Sequence, residues 1–291
     1  MTELTYNGIT LNIDELGAQL LRVYDSKTGT DYLWRGDPAI WTGHAYILWP
    51  FVGRLQDGKY LTGGKEYELK IHGLARYSVF TVSDRTESSV TFTLESSEET
   101  KKRYPFDFVF SVKYSIDGNT LTEDAYVQNT GSVSLPYGFG GHPGFNVPLE
   151  EGLSFTDYYV EFPDAGEIRR DLFAPSCLMS GLSEETDTVS GKRMALRHDL
   201  FDNDAVVLRG TGYKAVIKSG KGTRAVEVEY PGAAWCGVWH AVKKEAPYIC
   251  IEPWWTLPGP DGEILDFDTA EGLFHLAPGE TGHHSIVIKM L

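Results

Sequence analysis

Apolar side chains recur at every second position from Phe106 to Ile116, with Phe106, Phe108, Phe110, Val112, Tyr114 and Ile116 on one face. Asp107, Ser111, Lys113 and Ser115 fall on the other, the pattern of a half-buried strand. It runs into Asp117-Gly118-Asn119, a hairpin signal, and predicts a partner strand over Thr120–Gln128. The same period, or a short apolar run between turn residues, predicts strands at Gln19–Tyr24, Ser78–Ser83, Ser89–Glu95 and Ala205–Leu208. It predicts five more at Tyr213–Lys218, Ala225–Tyr230, Cys236–His240, Tyr248–Glu252 and His284–Met290. In Ala225–Tyr230, Glu227 and Glu229 alternate with Val226, Val228 and Tyr230, so one side faces water.

No long stretch carries a helical period. Ser96–Arg103 allows a turn or two of helix before Pro105 ends it. Many strands separated by Gly-, Asp- and Pro-rich turns exclude a βαβ fold and predict an all-β antiparallel sandwich or barrel. No linker or internal repeat divides the chain, so residues 1–291 read as one domain. The polar, weakly patterned segment Ala165–Arg197 reads as a long excursion or lid.

The net charge of −15 makes the chain a poor partner for phosphate backbones or anionic lipid, so nucleic acid and membrane surfaces are set aside. No apolar run is long enough to span a bilayer. The N-terminal Met1–Tyr6 has no basic-then-apolar leader pattern, and the expected location is cytoplasmic. Cys177, Cys236 and Cys250 are odd in number and match no metal-knuckle spacing; they are expected to be reduced, with Cys236 and Cys250 as small hydrophobes in strands.

The unusual chemistry lies in two short runs. Gly140-Gly141-His142-Pro143-Gly144 sets a histidine among residues that permit tight backbone geometry and close approach of a ligand. Ile251-Glu252-Pro253-Trp254-Trp255 sets a carboxylate at the end of an apolar strand, where burial is costly without a partner or a task. Together they form a candidate acid/base pair. The alternative readings are a structural turn histidine and a buried ion pair with Arg or Lys. Arg54, after Trp49-Pro50-Phe51-Val52-Gly53, offers a fixed fork of donors, and His72 stands before Gly73. A salt bridge and a core histidine are their plain readings. Asp204 is a weaker candidate for gripping hydroxyls, since it also suits a turn. Of the tryptophans, Trp254 is expected nearest a ligand.

Several chemistries are absent. Gly138–Gly144 lacks the dinucleotide spacing, and there is no Walker loop, no Gly-x-Ser-x-Gly elbow and no His-Glu-x-x-His. His283 and His284 are adjacent on a strand and point to opposite faces, which excludes a shared metal site.

The ordered runs Trp49–Leu55, Gly58-Lys59-Tyr60, Gly64–Tyr67, Ile71-His72-Gly73, Asn129–Pro136, Gly141–Asn146 and Ile251–Trp254 resemble the aldose 1-epimerase (galactose mutarotase-like) family, in its bacterial LacX-type branch. The resemblance spans roughly residues 8–290. It implies a β-supersandwich of large antiparallel sheets with the site in a cleft, and interconversion of the α and β anomers of a free hexose without metal or cofactor. It implies Glu252 as base, His142 as acid, and Arg54, His72, Asp204 and Trp254 as sugar-binding residues. Better-studied members carry Asn before the arginine where this chain has Gly53. Asp204 is the placement for the family's hydroxyl-gripping aspartate. The partner is then a small monosaccharide, and the protein is expected as a monomer or homodimer. Rival readings are a hexose-6-phosphate 1-epimerase, for which Lys70, Arg76, Arg169 and Arg170 are the available basic residues, and a non-catalytic carbohydrate-binding or sensing protein. A glycoside hydrolase fits less well, because it calls for two carboxylates and only Glu252 has a distinctive setting. The acid/base pair needs Glu⁻ and His⁺ together, and nearby carboxylates are expected to raise the His142 pKa.

Overall fold

A computed structural model describes residues 1–291. Two large antiparallel sheets dominate it, one of nine strands and one of seven, with three smaller sheets of four, three and two strands. The nine-stranded sheet is built around Phe108–Asp117, whose residues alternate between buried and half-exposed as the period of two requires. Its hairpin partner Thr120–Asn129 pairs in unbroken register, from Phe108 opposite Asn129 to Asp117 opposite Thr120. Gly118 takes the positive φ of 58° that closes this turn. Beyond that hairpin come Thr281–Met290, Ala225–Glu229 and Lys214–Ser219 on one side, and Ser89–Glu95 and the exposed edge Thr81–Arg85 on the other.

The seven-stranded sheet runs in the order Met179–Glu185, Arg169–Phe173, Val206–Arg209, Trp235–Trp239, Tyr248–Trp254, Gly140–Asn146, Ala45–Leu48. Its inner face packs on the nine-stranded sheet. Ile47, Ile249, Ile251, Val238 and Cys236 join Phe110, Val112 and Ile286 in one cluster of 64 buried residues. Trp49 stacks on Phe110 at 4.5 Å between ring centres. The alternate residues, including Leu48, Cys250 and Trp254, belong to two smaller clusters on the outer face. Tyr248–Trp254 is therefore buried on both faces, as its unbroken apolar run implied.

The glycine-rich run is not the structural turn of the alternative reading: Gly140–Asn146 is an interior strand between Ala45–Leu48 and Tyr248–Trp254. Its glycines make room. A Cβ on Gly141 would lie 2.3 Å from Ile286 Cδ1 of the facing sheet, and one on Gly144 would lie 3.1 Å from the Trp41 ring. Nor is Ala165–Arg197 a structureless lid. Arg169–Phe173 and Met179–Glu185 form a hairpin that extends the seven-stranded sheet, while Arg193–Ala195 caps an end of the other. Asp171 anchors the hairpin by accepting a hydrogen bond from Trp235 Nε1 at 2.7 Å. Weak periodicity hid these strands because most of their side chains are exposed or half-exposed.

The expected helical turn is present as Glu98–Lys101, capped by Ser97, whose side chain accepts from the Thr100 N–H. The three cysteines are free, Cys236 and Cys250 buried and Cys177 half-buried. His283 faces Asp124 in the open, while His284 is buried against Tyr137. No helix is long and apolar enough to cross a membrane.

A bend at His72-Gly73 ties the loops over the outer face to the core. Both residues have positive φ, 66° and 77°. The Trp49 carbonyl accepts from the N–H groups of Leu74 at 2.8 Å and Ala75 at 2.9 Å. A Cβ on Gly73 would stand 2.5 Å from that same carbonyl oxygen. Gly73→Ala combines a disfavoured φ with a backbone clash and is expected to cost about 2–4 kcal/mol. Urea unfolding checks this: the midpoint falls in the variant, and an unchanged midpoint contradicts the packing described.

Candidate active site

Sheet register assembles the centre of the site. His142 pairs with Tyr46 on the neighbouring strand. On its other side Gly140 opposes Trp254 and Gly144 opposes Cys250, which sets His142 across from Glu252. Glu252 in turn opposes Gly237. One row across the sheet thus reads Tyr46, His142, Glu252, Gly237. The missing side chain at Gly237 is required, because a Cβ there would meet Glu252 Cβ at 3.2 Å and the Trp254 ring at 3.1 Å.

His142 Nε2 and Glu252 Oε1 are 3.4 Å apart, and the two side chains are only 8% and 3% exposed. His142 is boxed by rings. Trp41 stacks on it at 5.2 Å, with Trp239, Tyr46 and His72 set edgewise at 5.4, 6.0 and 5.5 Å. Its Nδ1 is buried without a hydrogen-bond partner. The pair forms part of the wall of a cleft of about 250 Å³.

Loops bring the other residues to this cleft. Arg54, His72, Asp204 and Trp254 all line it, so the six residues singled out in the sequence share one cavity. Arg54 Nη1 faces Asp204 Oδ2 at 3.5 Å. Asp204 itself has a φ of 86°, and its Oδ1 accepts from the Ala205 N–H at 3.0 Å. Gly53 has φ 68°, and a Cβ on it would lie 2.6 Å from Pro258 Cγ. Packing of that loop therefore accounts for glycine before Arg54. The Gly53 N–H donates to His72 Nδ1 at 3.2 Å. That bond makes Nδ1 an acceptor and leaves the proton of the neutral ring on Nε2. Trp254 Nε1 is buried and unpartnered.

Beyond Trp254, two further tryptophans and three residues that sequence reading missed help form the walls. Trp41, Tyr46, Phe173, Cys177 and Trp239 also line the cleft. Trp239 carried a signal, since it opposes Cys250 and shares the face of Glu252. Trp41 and Cys177 come from loops with no readable period. Of the four basic residues considered for a phosphate, only Arg76 lines the cleft, its guanidinium 3.7 Å over the Tyr46 ring. Lys70 belongs to an adjoining groove, Arg170 to a separate depression, and Arg169 is drawn to Glu167 at 3.9 Å.

Burial governs the electrostatics. It pushes His142 down to about 3, against which a backbone hydrogen bond acts only partly, and Arg76 lowers it further. It pushes Glu252 well above the usual carboxylate range, reinforced by Asp204. His72 is likewise held well below an ordinary imidazole by burial and by His142, Arg76 and Arg54. The expectation that nearby carboxylates raise His142 is thus overturned: desolvation outweighs them. Burial thus favours the uncharged form of each group, the carboxylic acid of Glu252 and the neutral imidazole of His142. No Arg or Lys is paired with Glu252, which disposes of the buried ion-pair reading.

The aldose 1-epimerase family model matches residues 2–254. The chain belongs to the aldose 1-epimerase family. It is 32% identical over 281 residues to the chromosomal protein LacX of Lactococcus lactis, covering 91% of each chain. It is also 32% identical to YihR of Escherichia coli over 136 residues, 43% of this chain and 42% of that one. Two solved structures have the same fold along their length. A galactose mutarotase-related enzyme from Lactobacillus acidophilus matches with a TM-score of 0.92 at 33% identity, covering 100% of this chain and 97% of the other. A galactose mutarotase-like protein from Lactobacillus casei matches with a TM-score of 0.93 at 31% identity, covering 100% of both chains. The family and the β-rich sandwich anticipated in the sequence are the ones found.

The His72 tautomer is directly measurable. Nitrogen-15 NMR of the imidazole at neutral pH is expected to report a neutral ring protonated at Nε2. A charged ring, or a proton on Nδ1, contradicts the site as described.

Proposed function

We propose that this protein is an aldose 1-epimerase that interconverts the anomers of a free hexose, with Glu252 and His142 as its acid/base pair. The observation that carries the reading is the 3.4 Å contact of a buried imidazole with a buried carboxyl at the wall of a cleft. Between them the pair holds one proton, and mutarotation moves one proton on and one off. When hydroxyls of the sugar supply hydrogen bonds, the shared proton passes from Glu252 to His142 and the charged tautomer becomes accessible. Glu252 takes the proton of the anomeric hydroxyl as His142 protonates the ring oxygen. The C1–O5 bond breaks, leaving the open aldehyde. Rotation about C1–C2 presents the other carbonyl face, and ring closure runs the two transfers backwards. His72 Nε2–H, Arg54 and Asp204 hold neighbouring oxygens, and their contribution is orientation. The Trp41 and Trp239 rings offer the apolar faces of the sugar a matching surface.

Each positioned acid or base contributes about 10²–10⁴-fold, or roughly 3–5 kcal/mol of barrier. Glu252→Gln is therefore expected to lower kcat by that factor with little change in fold. Polarimetry of freshly dissolved α-D-glucose and α-D-galactose tests this. Wild-type acceleration lost in the variant supports the reading, and a fully active variant removes Glu252 as the base. Arg76 favours one second reading, a hexose-6-phosphate epimerase, because it lines the cleft and has no carboxylate partner. Glucose 6-phosphate in the same assay separates the two: faster turnover of the phosphate ester than of free glucose selects the second.

The pH dependence follows from the shared proton. A second proton is added only near pH 3, where His142 titrates, so the acid limb is expected near 3 rather than near an ordinary imidazole value of about 6.5. Loss of the shared proton awaits the raised pKa of Glu252, which sets the alkaline limb above the usual carboxylate range. A kcat/KM profile that falls between pH 7 and 6 contradicts the neutral resting pair.

A further inference from the structure

A third side chain of ligand type stands behind the acid/base pair. Cys250 lies on the strand Tyr248–Trp254, two residues before Glu252 and on the same face, and it opposes Gly144 of the His142 strand. Gly144 leaves the space beside the thiol open, since a Cβ there would lie 3.3 Å from Cys250 Sγ. A ring nitrogen of His142, Cys250 Sγ and a Glu252 carboxyl oxygen all fall within 4.8 Å of one another, and all three residues are buried. No other three His, Cys, Asp or Glu side chains of the chain converge in this way. His142 and Glu252 open on the cleft, whereas Cys250 is fully buried and closes the set from behind.

Distance and donor type select the ion. Three ligands of a tetrahedral zinc, each about 2.0–2.3 Å from the metal, stand about 3.3–3.6 Å apart. The His142–Glu252 edge is already 3.4 Å, so the thiol alone has to close, by about 1 Å. One nitrogen, one sulfur and one oxygen suit zinc and its analogues cobalt and cadmium. Magnesium and calcium call for a shell of oxygens, and this corner offers one carboxylate. Thiolate and carboxylate together cancel the two charges of the ion, so the loaded site is neutral in surroundings that penalise net charge. Three protein ligands leave a fourth position for water on the side of the cleft.

We propose that His142, Cys250 and Glu252 form an inhibitory binding site for divalent ions of the zinc class. The inhibition, though not the binding, rests on the epimerase reading. The metal takes the lone pairs of the imidazole and the carboxylate that would otherwise carry protons to and from the sugar. The pair serves either protons or a metal ion.

Calorimetry of chelator-treated protein with zinc chloride tests the binding. One ion per chain is expected, with a Kd of about micromolar or tighter. Cobalt(II) in place of zinc is expected to give a sulfur-to-metal charge-transfer band in the wild-type protein and in Cys177→Ser, which removes the thiol that lines the cleft. Cys250→Ser is expected to lose the band and to weaken zinc binding at least about tenfold. Absence of stoichiometric binding, or of the band, overturns the site. So does binding that survives Cys250→Ser and is lost in Cys177→Ser, or in His283→Ala, whose ring faces Asp124 at 2.8 Å on the surface. Polarimetry with zinc separates the two claims, each variant being compared with its own metal-free rate. Wild-type mutarotation is expected to halve near the calorimetric Kd and to return with EDTA. Thiolate-bound metal with no mutarotation of any sugar sustains the site and removes the epimerase, whereas mutarotation unaffected by saturating zinc overturns the inhibition.

Discussion

Water is kept from a carboxyl and an imidazole that meet on one row of a sheet, and most of the site depends on that exclusion. In water, Glu252 would be ionised and His142 mostly neutral, and nothing would bind them to a common proton. Taken out of water, each disfavours its own charge, which favours a carboxylic acid beside a neutral imidazole. An isolated buried charge is expensive; two groups that trade one proton avoid it while keeping both charged forms within reach. The rings of Trp41, Trp239, Tyr46 and His72 supply the exclusion.

That arrangement is made possible by what is missing from neighbouring positions. Gly237 opposite Glu252, and Gly140 and Gly144 on either side of His142, leave the space into which Trp254 and Trp41 pack. Gly141 lets the same strand lie against Ile286 of the other sheet. The His72-Gly73 bend, tied to the Trp49 carbonyl, then fixes the loop residues relative to the sheet. In the proposed reaction, rigid strands carry the acid/base pair and loops braced on them carry the residues assigned to the sugar hydroxyls.

Local signals made the fold class and the six cleft residues legible in the sequence. Period two exposed Phe108–Asp117 and its partner without ambiguity. His142 and Glu252 stood out because each is an ionisable group in a setting that penalises charge. A turn at Gly140–Gly144 stayed open as the alternative because glycine serves turns and close sheet packing alike, and only the facing residue, Ile286, tells them apart. Cys177 was invisible as a cleft residue because loop contacts over long sequence separations leave no period. The proton state was reversed for a related reason. Sequence shows which charges are present, but the depth of burial, which outweighs them here, is a property of the assembled sheet.

Infrared difference spectroscopy on the sugar-free protein tests the shared proton most directly. Subtracting the spectrum of Glu252→Gln isolates this carboxyl from the other buried ones, among them Glu123, which burial raises to about 7. The account predicts a protonated carboxylic acid band at neutral pH that belongs to Glu252 and diminishes when a sugar fills the cleft. A carboxylate signature from Glu252 at neutral pH, with no acid band, would contradict it.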